Sequence, residues 1–265
     1  MHPLATRPRA PALAGLLFAG AALVGCGGGD DGPAAAGSTP IVLASDGFTK
    51  GTAKWKVEQQ DAAGTVSMAD GVLDLVAPSG ATLWFEQAFS GDYEIRFSAT
   101  PIPITAGGFT DRVSDLNVFW NATVPTGADP DPTAQGFDGA LASYDPLHLY
   151  YVGFGANGDT TTRLRRYDGT VARPEITGYA DPSAATADDA AGPMTAATRL
   201  VANAPTRVRI VSRAATADDA RTLEWYANDA LVFAYADPAP YDHGWFALRT
   251  TTSHFQVRDF SVVRR

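Results

Sequence analysis

Three stretches of this chain set polar and aromatic groups opposite an apolar strand face, and their types define the chemistry open to it. Leu116, Val118 and Trp120 fall on one side of a strand, with Asp115, Asn117 and Phe119 on the other. Around Leu164 the same alternation turns Arg163, Arg165 and Tyr167 away from the core side. Phe246 and Leu248 mark the core side of a third strand, which leaves Trp245 and Arg249 together on the opposite side. A face that combines carboxylate, carboxamide, guanidinium and aromatic groups suits a polar, anionic, ring-shaped ligand. That description fits an acidic glycan.

Two uses of such a face follow. A uronate chain can be cleaved by β-elimination, which takes a base for the C5 proton, an acid for the leaving oxygen and neutralisation of the carboxylate. Asn117, Arg163, Arg165 and Arg249 suit neutralisation, and Tyr150, Tyr151, His148 and His254 suit proton transfer. Parity along 147–154 leaves the groove side open. If Leu147, Leu149 and Tyr151 are buried, His148 and Tyr150 line the groove; otherwise Tyr151 does. His243 falls in a turn. On this basis a polysaccharide lyase is the first reading. The second is capture without cleavage, in which Trp245, Tyr167 and Phe119 stack on sugar faces. Glycoside hydrolysis, or a structural envelope role, comes third. Asp111 and Asp115 share a strand face about 13 Å apart, farther than either glycosidase geometry allows.

The elements that must position these groups are strands. Gly64–Val76 predicts a hairpin turning at Asp70-Gly71, and Leu223–Tyr235 another turning at Asn228-Asp229. Tyr93–Ala99 and Arg207–Val211 alternate as half-buried strands, and Trp245–Thr250 and Phe255–Val263 close the set. Roughly a dozen short strands with regular turns indicate an all-β, two-sheet sandwich. The Pro-, Gly- and Asp-rich stretch Val124–Tyr144 reads as a long loop that can wall the groove. Asp181–Thr198 and the Ala214–Ala220 copy of its Ala-Ala-Thr-Ala-Asp-Asp-Ala run read as loop insertions.

The N-terminus has a separate task. Arg7 and Arg9 precede an apolar run from Ala10 to Val24, closed by Leu23-Val24-Gly25-Cys26. That tetrapeptide matches a bacterial lipobox, so residues 1–25 are expected to be a lipoprotein signal peptide and Cys26 the acylated N-terminus. The run is shorter than the roughly 20 residues a membrane span needs. Gly27–Pro40 lacks large apolar residues and reads as a tether, so 26–40 is flexible and 41–265 is a single domain. An envelope address follows, with the outer membrane preferred. Cys26 is the only cysteine, which excludes an internal disulfide. Loss of Arg7 and Arg9 takes the formal charge from −9 to −11. An acidic chain argues against nucleic acid as a partner and makes the arginines at 163, 165 and 166 stand out. A monomer is expected, with an acidic polysaccharide or oligosaccharide and the membrane as partners. No phosphate loop, His-Glu-x-x-His helix or cysteine metal spacing occurs, and neither a cofactor nor a catalytic metal is expected. A structural calcium bridging Asp46 and Asp259 is the one metal option.

The quoted runs Asp70-Gly-Val-Leu-Asp-Leu, Asp111–Trp120, Tyr150–Gly155, Thr160–Gly169 and Gly244–Thr250, with Asp46-Gly-Phe and Trp55–Glu58, resemble the family known as domain of unknown function 6250. The resemblance spans roughly Asp46 to the C-terminus. It implies a concanavalin A-like β-jelly roll of the type shared by glucanases, lectins and several polysaccharide lyases, and it carries no activity with it. The chain departs from the family pattern at Gly47, where a second Asp is usual, and at Asn121-Ala122. The first departure weakens a metal site near the N-terminus.

Overall fold

The computed structural model describes residues 40–103, 112–176 and 195–265. The segments expected to be a signal peptide and, apart from Pro40, a tether, with Cys26, Asp111 and most of the Asp181–Thr198 insertion, lie outside the described residues. The folded unit begins at Pro40. Its strands are β1 (Val42–Asp46), β2 (Trp55–Gln59), β3 (Thr65–Ala69), β4 (Val72–Phe85), β5 (Phe89–Ser90), β6 (Tyr93–Pro101) and β7 (Leu116–Thr123). Then follow β8 (His148–Gly155), β9 (Thr161–Asp168), β10 (Glu175–Ile176), β11 (Thr206–Ser212), β12 (Leu223–Ala227), β13 (Ala230–Tyr235) and β14 (His243–Arg264). Every strand pairing is antiparallel.

Both predicted hairpins form. β3 pairs β4 around Asp70 and Gly71, with φ of 52° and 80°. β12 pairs β13 around Asn228 and Asp229, with φ of 48° and 68°. Positive φ at both turn residues matches the right-handed twist of the flanking strands.

β14 organises the sandwich. Its first half pairs β4 on one side and β7 on the other, and β7, β8, β9 and β10 continue that layer. Its second half pairs β6, which leads on to β11, β12 and β13. One curled sheet thus folds over on itself. Register shifts occur at three places along β14, between Trp245 and Ala247 against β7, between Thr251 and Ser253 against β4, and between Arg258 and Ser261 against β6. At the last two, Thr252 and Asp259 adopt positive φ, and the buried face of β14 passes from Phe246 and Leu248 to Phe255 and Val257 and then to Phe260 and Val262.

The main core lies between the two layers. Leu116, Val118, Trp120, Val152, Phe154, Leu164, Phe246 and Leu248 face Ile95, Phe97, Val208, Ile210, Trp225 and Phe233. A second apolar cluster sits on the opposite side of the β4–β14–β7–β8–β9 layer. There the 124–147 segment lays Tyr144 and Leu147 over Trp84, Phe119, Leu149, Tyr151 and Tyr167. That placement covers one end of the layer's outer face and leaves the other end open.

Candidate functional site

The open end is a groove with a cavity volume of about 460 Å³. Strand register builds it from a row of side chains across six strands. Glu58 on β2 stands opposite Thr82 on β4, Thr82 opposite Arg249 on β14, and Arg249 opposite Asn117 on β7. Asn117 stands opposite Gly153 on β8, and Gly153 opposite Arg163 on β9. Because side chains alternate, all six positions share one face. Gly153 is the low point of the row. A Cβ there would lie 2.4 Å from the Tyr151 hydroxyl, so the Tyr151 side chain occupies the space a larger residue would fill.

Asp115, Asn117, Arg163, Arg165, Tyr151, Tyr167 and Arg249 all line the groove. Asp115 adopts φ of 65°, a conformation Asp tolerates better than most residues. Its carboxylate accepts from Arg112 Nη2 at 2.7 Å and from the Ser114 hydroxyl. Arg163 and Arg165 share Glu175, at 3.6 Å and 3.2 Å, and Arg165 also donates to the Arg173 carbonyl at 2.7 Å. Arg249 is buried, with Nη2 donating to the Gly139 carbonyl at 3.2 Å. Burial raises the hydroxyl of Tyr151 above the usual tyrosine range and that of Tyr167 to about 12, so both stay protonated at neutral pH.

Five candidates are absent from the groove lining. Tyr150 points into the main core, where its hydroxyl donates to Asp237, because β8 parity puts Tyr151 rather than Tyr150 on the groove side. The expected alternatives for this strand were exclusive; instead Tyr151 is buried against the aromatic cluster and still lines the groove. His148 stacks on Tyr241, with ring centroids 5.0 Å apart. His254 follows the Thr252 bulge and places Nε2 3.0 Å from Asp74 Oδ1. Phe119 is fully buried among Trp84, Tyr144, Tyr151 and Tyr167, and Trp245 packs at the edge of the same cluster. Neither ring offers a face to the groove. The basic run also divides. Arg166 turns the other way, pairs Asp237 at 2.7 Å and lies over the Tyr241 ring.

The structure adds lining residues with no local sequence signal. Gln60 holds the Gly80 N–H at 2.9 Å, and Thr251 extends the β14 face. Arg173 curls back from the loop after β9 and pairs Asp145, at the end of the 124–147 segment. Leu141, from the stretch read as a possible wall, lines the groove. Glu58 fastens that wall. It is 3% exposed and accepts from Trp84 Nε1 at 2.9 Å, the Tyr144 hydroxyl at 2.8 Å and the Phe137 N–H at 3.1 Å. Burial nevertheless pushes its carboxyl above the usual range.

Among the described residues no cluster of three or more metal-ligating side chains occurs. Asp46, half of the calcium option, has its two carboxylate oxygens occupied by the Phe48 N–H and Trp55 Nε1.

Solved structures share this architecture. A protein of unknown function with a galectin-like fold from Bacillus subtilis is 16% identical, with a TM-score of 0.58, over 85% of this chain and 98% of that one. The metal-free carbohydrate recognition domain of Emp46p is 10% identical, with a TM-score of 0.52, over 84% and 94%. Peanut lectin with a bound 9mer peptide is 11% identical, with a TM-score of 0.51, over 84% and 96%. At such identities the likeness establishes the fold, a lectin-like jelly roll. No curated protein matches the chain in sequence. The family described as Domain of unknown function (DUF6250) matches residues 75–260, most of the folded unit, and the chain belongs to that family.

Proposed function

We propose that this protein captures an acidic, uronate-bearing glycan in the groove without cleaving it, and that lipid on Cys26 holds it at the cell envelope, in the outer membrane. The observation that carries the reading is the meeting of Arg163, Arg165, Arg173 and Arg249 in one groove of an acidic chain. Guanidinium groups bind carboxylates through paired, charge-assisted hydrogen bonds. The fold shared with a carbohydrate recognition domain and with a lectin supports a sugar as the ligand.

Capture is favoured over elimination because of where the proton-transfer candidates sit. Only Tyr151 of the four lines the groove, and burial keeps its hydroxyl protonated. It can donate a proton but is a poor base at neutral pH. Asp115, the one acidic side chain in the lining, is held by Arg112 and Ser114.

A glycan panel tests the reading. Acidic oligosaccharides should bind and neutral ones bind far less, with the preference shrinking as salt rises. Arg163→Ala should lose a charge-assisted bond of about 1.5–3 kcal/mol, so affinity for the acidic ligand falls about 10- to 150-fold. Binding without any unsaturated, ultraviolet-absorbing product supports capture, and appearance of that product restores the lyase. No binding by a correctly folded protein removes the glycan reading. For the anchor, labelling with a fatty acid should vanish in Cys26→Ser, and unchanged labelling rules it out.

A further inference from the structure

Arg249 carries a charge that no carboxylate among the described residues neutralises. It is 4% exposed, its Nε has no hydrogen-bond partner, and its Nη atoms reach only the carbonyls of Gly139 and Thr250, at 3.2 Å and 3.5 Å. The other three guanidinium groups lining the groove each have a carboxylate: Glu175 for Arg163 and Arg165, and Asp145 for Arg173. Among the described residues Arg249 has none. The acidic groups on its own face are committed elsewhere. Glu58, two strands away across Thr82, takes three hydrogen bonds from the wall and sheet. Asp115 is bonded to Arg112 and Ser114. Directly opposite Arg249 in the register, Asn117 is 1% exposed, and its Oδ1 also has no partner.

A buried ion without its counter-ion is destabilising, and the desolvation it suffers is not offset by two carbonyl contacts. An unpaired amide oxygen beside it compounds the cost. Two such neighbours at the floor of a groove make sense if the missing partners arrive from outside. The donor needs an anion, and the acceptor needs a hydroxyl or N–H.

We propose that Arg249 is the carboxylate subsite of this groove and its specificity-determining residue, with Asn117 accepting from a hydroxyl of the same sugar. The ligand supplies the counter-ion that the described residues lack. The inference rests on the glycan-capture reading but assigns its selectivity to one residue. Arg163 and Arg165, already sharing Glu175, add attraction that a competing internal carboxylate weakens. Because Arg249 also holds the Gly139 carbonyl, the subsite joins the sheet to the wall.

The test is thermal unfolding of the purified chain with D-glucuronate, with D-glucose, and with sodium chloride at matched ionic strength. Glucuronate at about 100 times its Kd should raise the Tm of the parent protein by roughly 5–10 °C, while glucose and chloride should not. In Arg249→Met, which keeps the length and removes the charge, that rise should disappear, and the ligand-free Tm should equal or exceed the parent's. Asn117→Asp places a carboxylate beside the guanidinium. It should raise the ligand-free Tm and abolish the glucuronate response, and it keeps the test open if Arg249→Met fails to fold. A lower ligand-free Tm in Arg249→Met with the glucuronate rise intact would make Arg249 a structural clamp on Gly139 and overturn the proposal. So would a glucuronate rise that survives in Asn117→Asp. The two readings fail separately. Neutral glycans binding as well as acidic ones, unaffected by Arg249→Met, would remove the subsite and leave glycan capture. A glucuronate rise that needs Arg249, with no oligosaccharide bound, would keep the subsite and remove capture.

Discussion

The outer face of the β4–β14–β7–β8–β9 layer has two ends that use the same strands in opposite ways. At one end Phe119 contacts the rings of Trp84, Tyr144, Tyr151 and Tyr167, with centroids 5.3–6.2 Å apart. One register step away on the same face, β14, β7, β8 and β9 present Arg249, Asn117, Gly153 and Arg163. Strand geometry is common to both ends, so it cannot explain why one is packed and the other open. The difference lies in the 124–147 segment. It delivers Phe137, Tyr144 and Leu147 to the aromatic end and meets the polar row only at its rim, where the Gly139 carbonyl accepts from Arg249 and Leu141 lines the groove. Gly139 is the point of closest approach. A Cβ there would lie 2.9 Å from the Gln59 Cα, the Gln60 nitrogen and the Gly80 oxygen, so only glycine lets the segment lie this close to the sheet. The chain fills one end of its groove with its own aromatic rings and leaves the other for a ligand.

The largest expected effect breaks the packed end. Phe119 was an attractive sugar-stacking residue on its strand face, but it is fully buried inside the aromatic layer. Phe119→Ala should therefore cost about 3–5 kcal/mol of folding stability, read as a lower denaturation midpoint. A sugar-stacking role would show the reverse pattern: a near-normal midpoint with lost glycan affinity. That result would mean the two ends work as one site.

Much of this division can be read in the sequence, since alternation around Leu116–Trp120 and Leu164 assigns Asn117, Arg163, Arg165 and Tyr167 to one face. The two hairpins are legible because Asp-Gly and Asn-Asp accept the positive φ of their turns. What alternation cannot carry is a change of phase. Between Arg249 and His254 the register shifts at Thr252, which stands alone against Pro78 and Ser79 of β4, and beyond it Ser253, Phe255 and Val257 face the core. His254 keeps the outward orientation but sits beside Asp74 and Gln256, beyond the groove. Charge partners are also invisible locally. Glu175 sits on a two-residue strand and meets Arg163 and Arg165 only through the β9–β10 pairing. Arg166 differs from both by facing the other way, which the three-arginine run conceals.

The boundary between the two ends gives a prediction of intermediate size. Glu58 holds Tyr144 and Phe137, and burial raises its carboxyl above the ordinary value of 4.5. The folded protein therefore keeps this proton to a higher pH than the unfolded chain does. Its contribution to stability is fully present below 4.5 and is lost as pH rises through the raised folded value. Glu58→Gln removes the titration and leaves the other carboxyls in place. Urea denaturation of both proteins across pH should show the parent's stability, relative to the variant, declining above pH 4.5. A difference that stays flat would mean Glu58 is not shifted, and the wall would then be fastened by packing alone.

The smallest expected effect tests where the site ends. His254 has the chemistry of a proton-transfer residue, and its β14 register places it opposite Val76, past the bulge and away from the groove lining. Its one polar contact through Nε2 is to Asp74, at 3.0 Å, which Gln256 also reaches at 2.9 Å. Removing the imidazole leaves Asp74 with Gln256 as a donor, so no carboxylate is stranded. His254→Ala should lower stability by about 1 kcal/mol and change acidic-glycan affinity by less than about twofold, well under one decade of binding. The contrast with Arg249 on the same strand is the informative quantity, because both side chains point outward and only one reaches the groove. A large affinity loss in His254→Ala, with the fold intact, would extend the binding surface across the bulge. Loss of a measurable elimination activity in that variant, with binding retained, would return the histidine to chemistry and require the ligand to span both sides of Thr252.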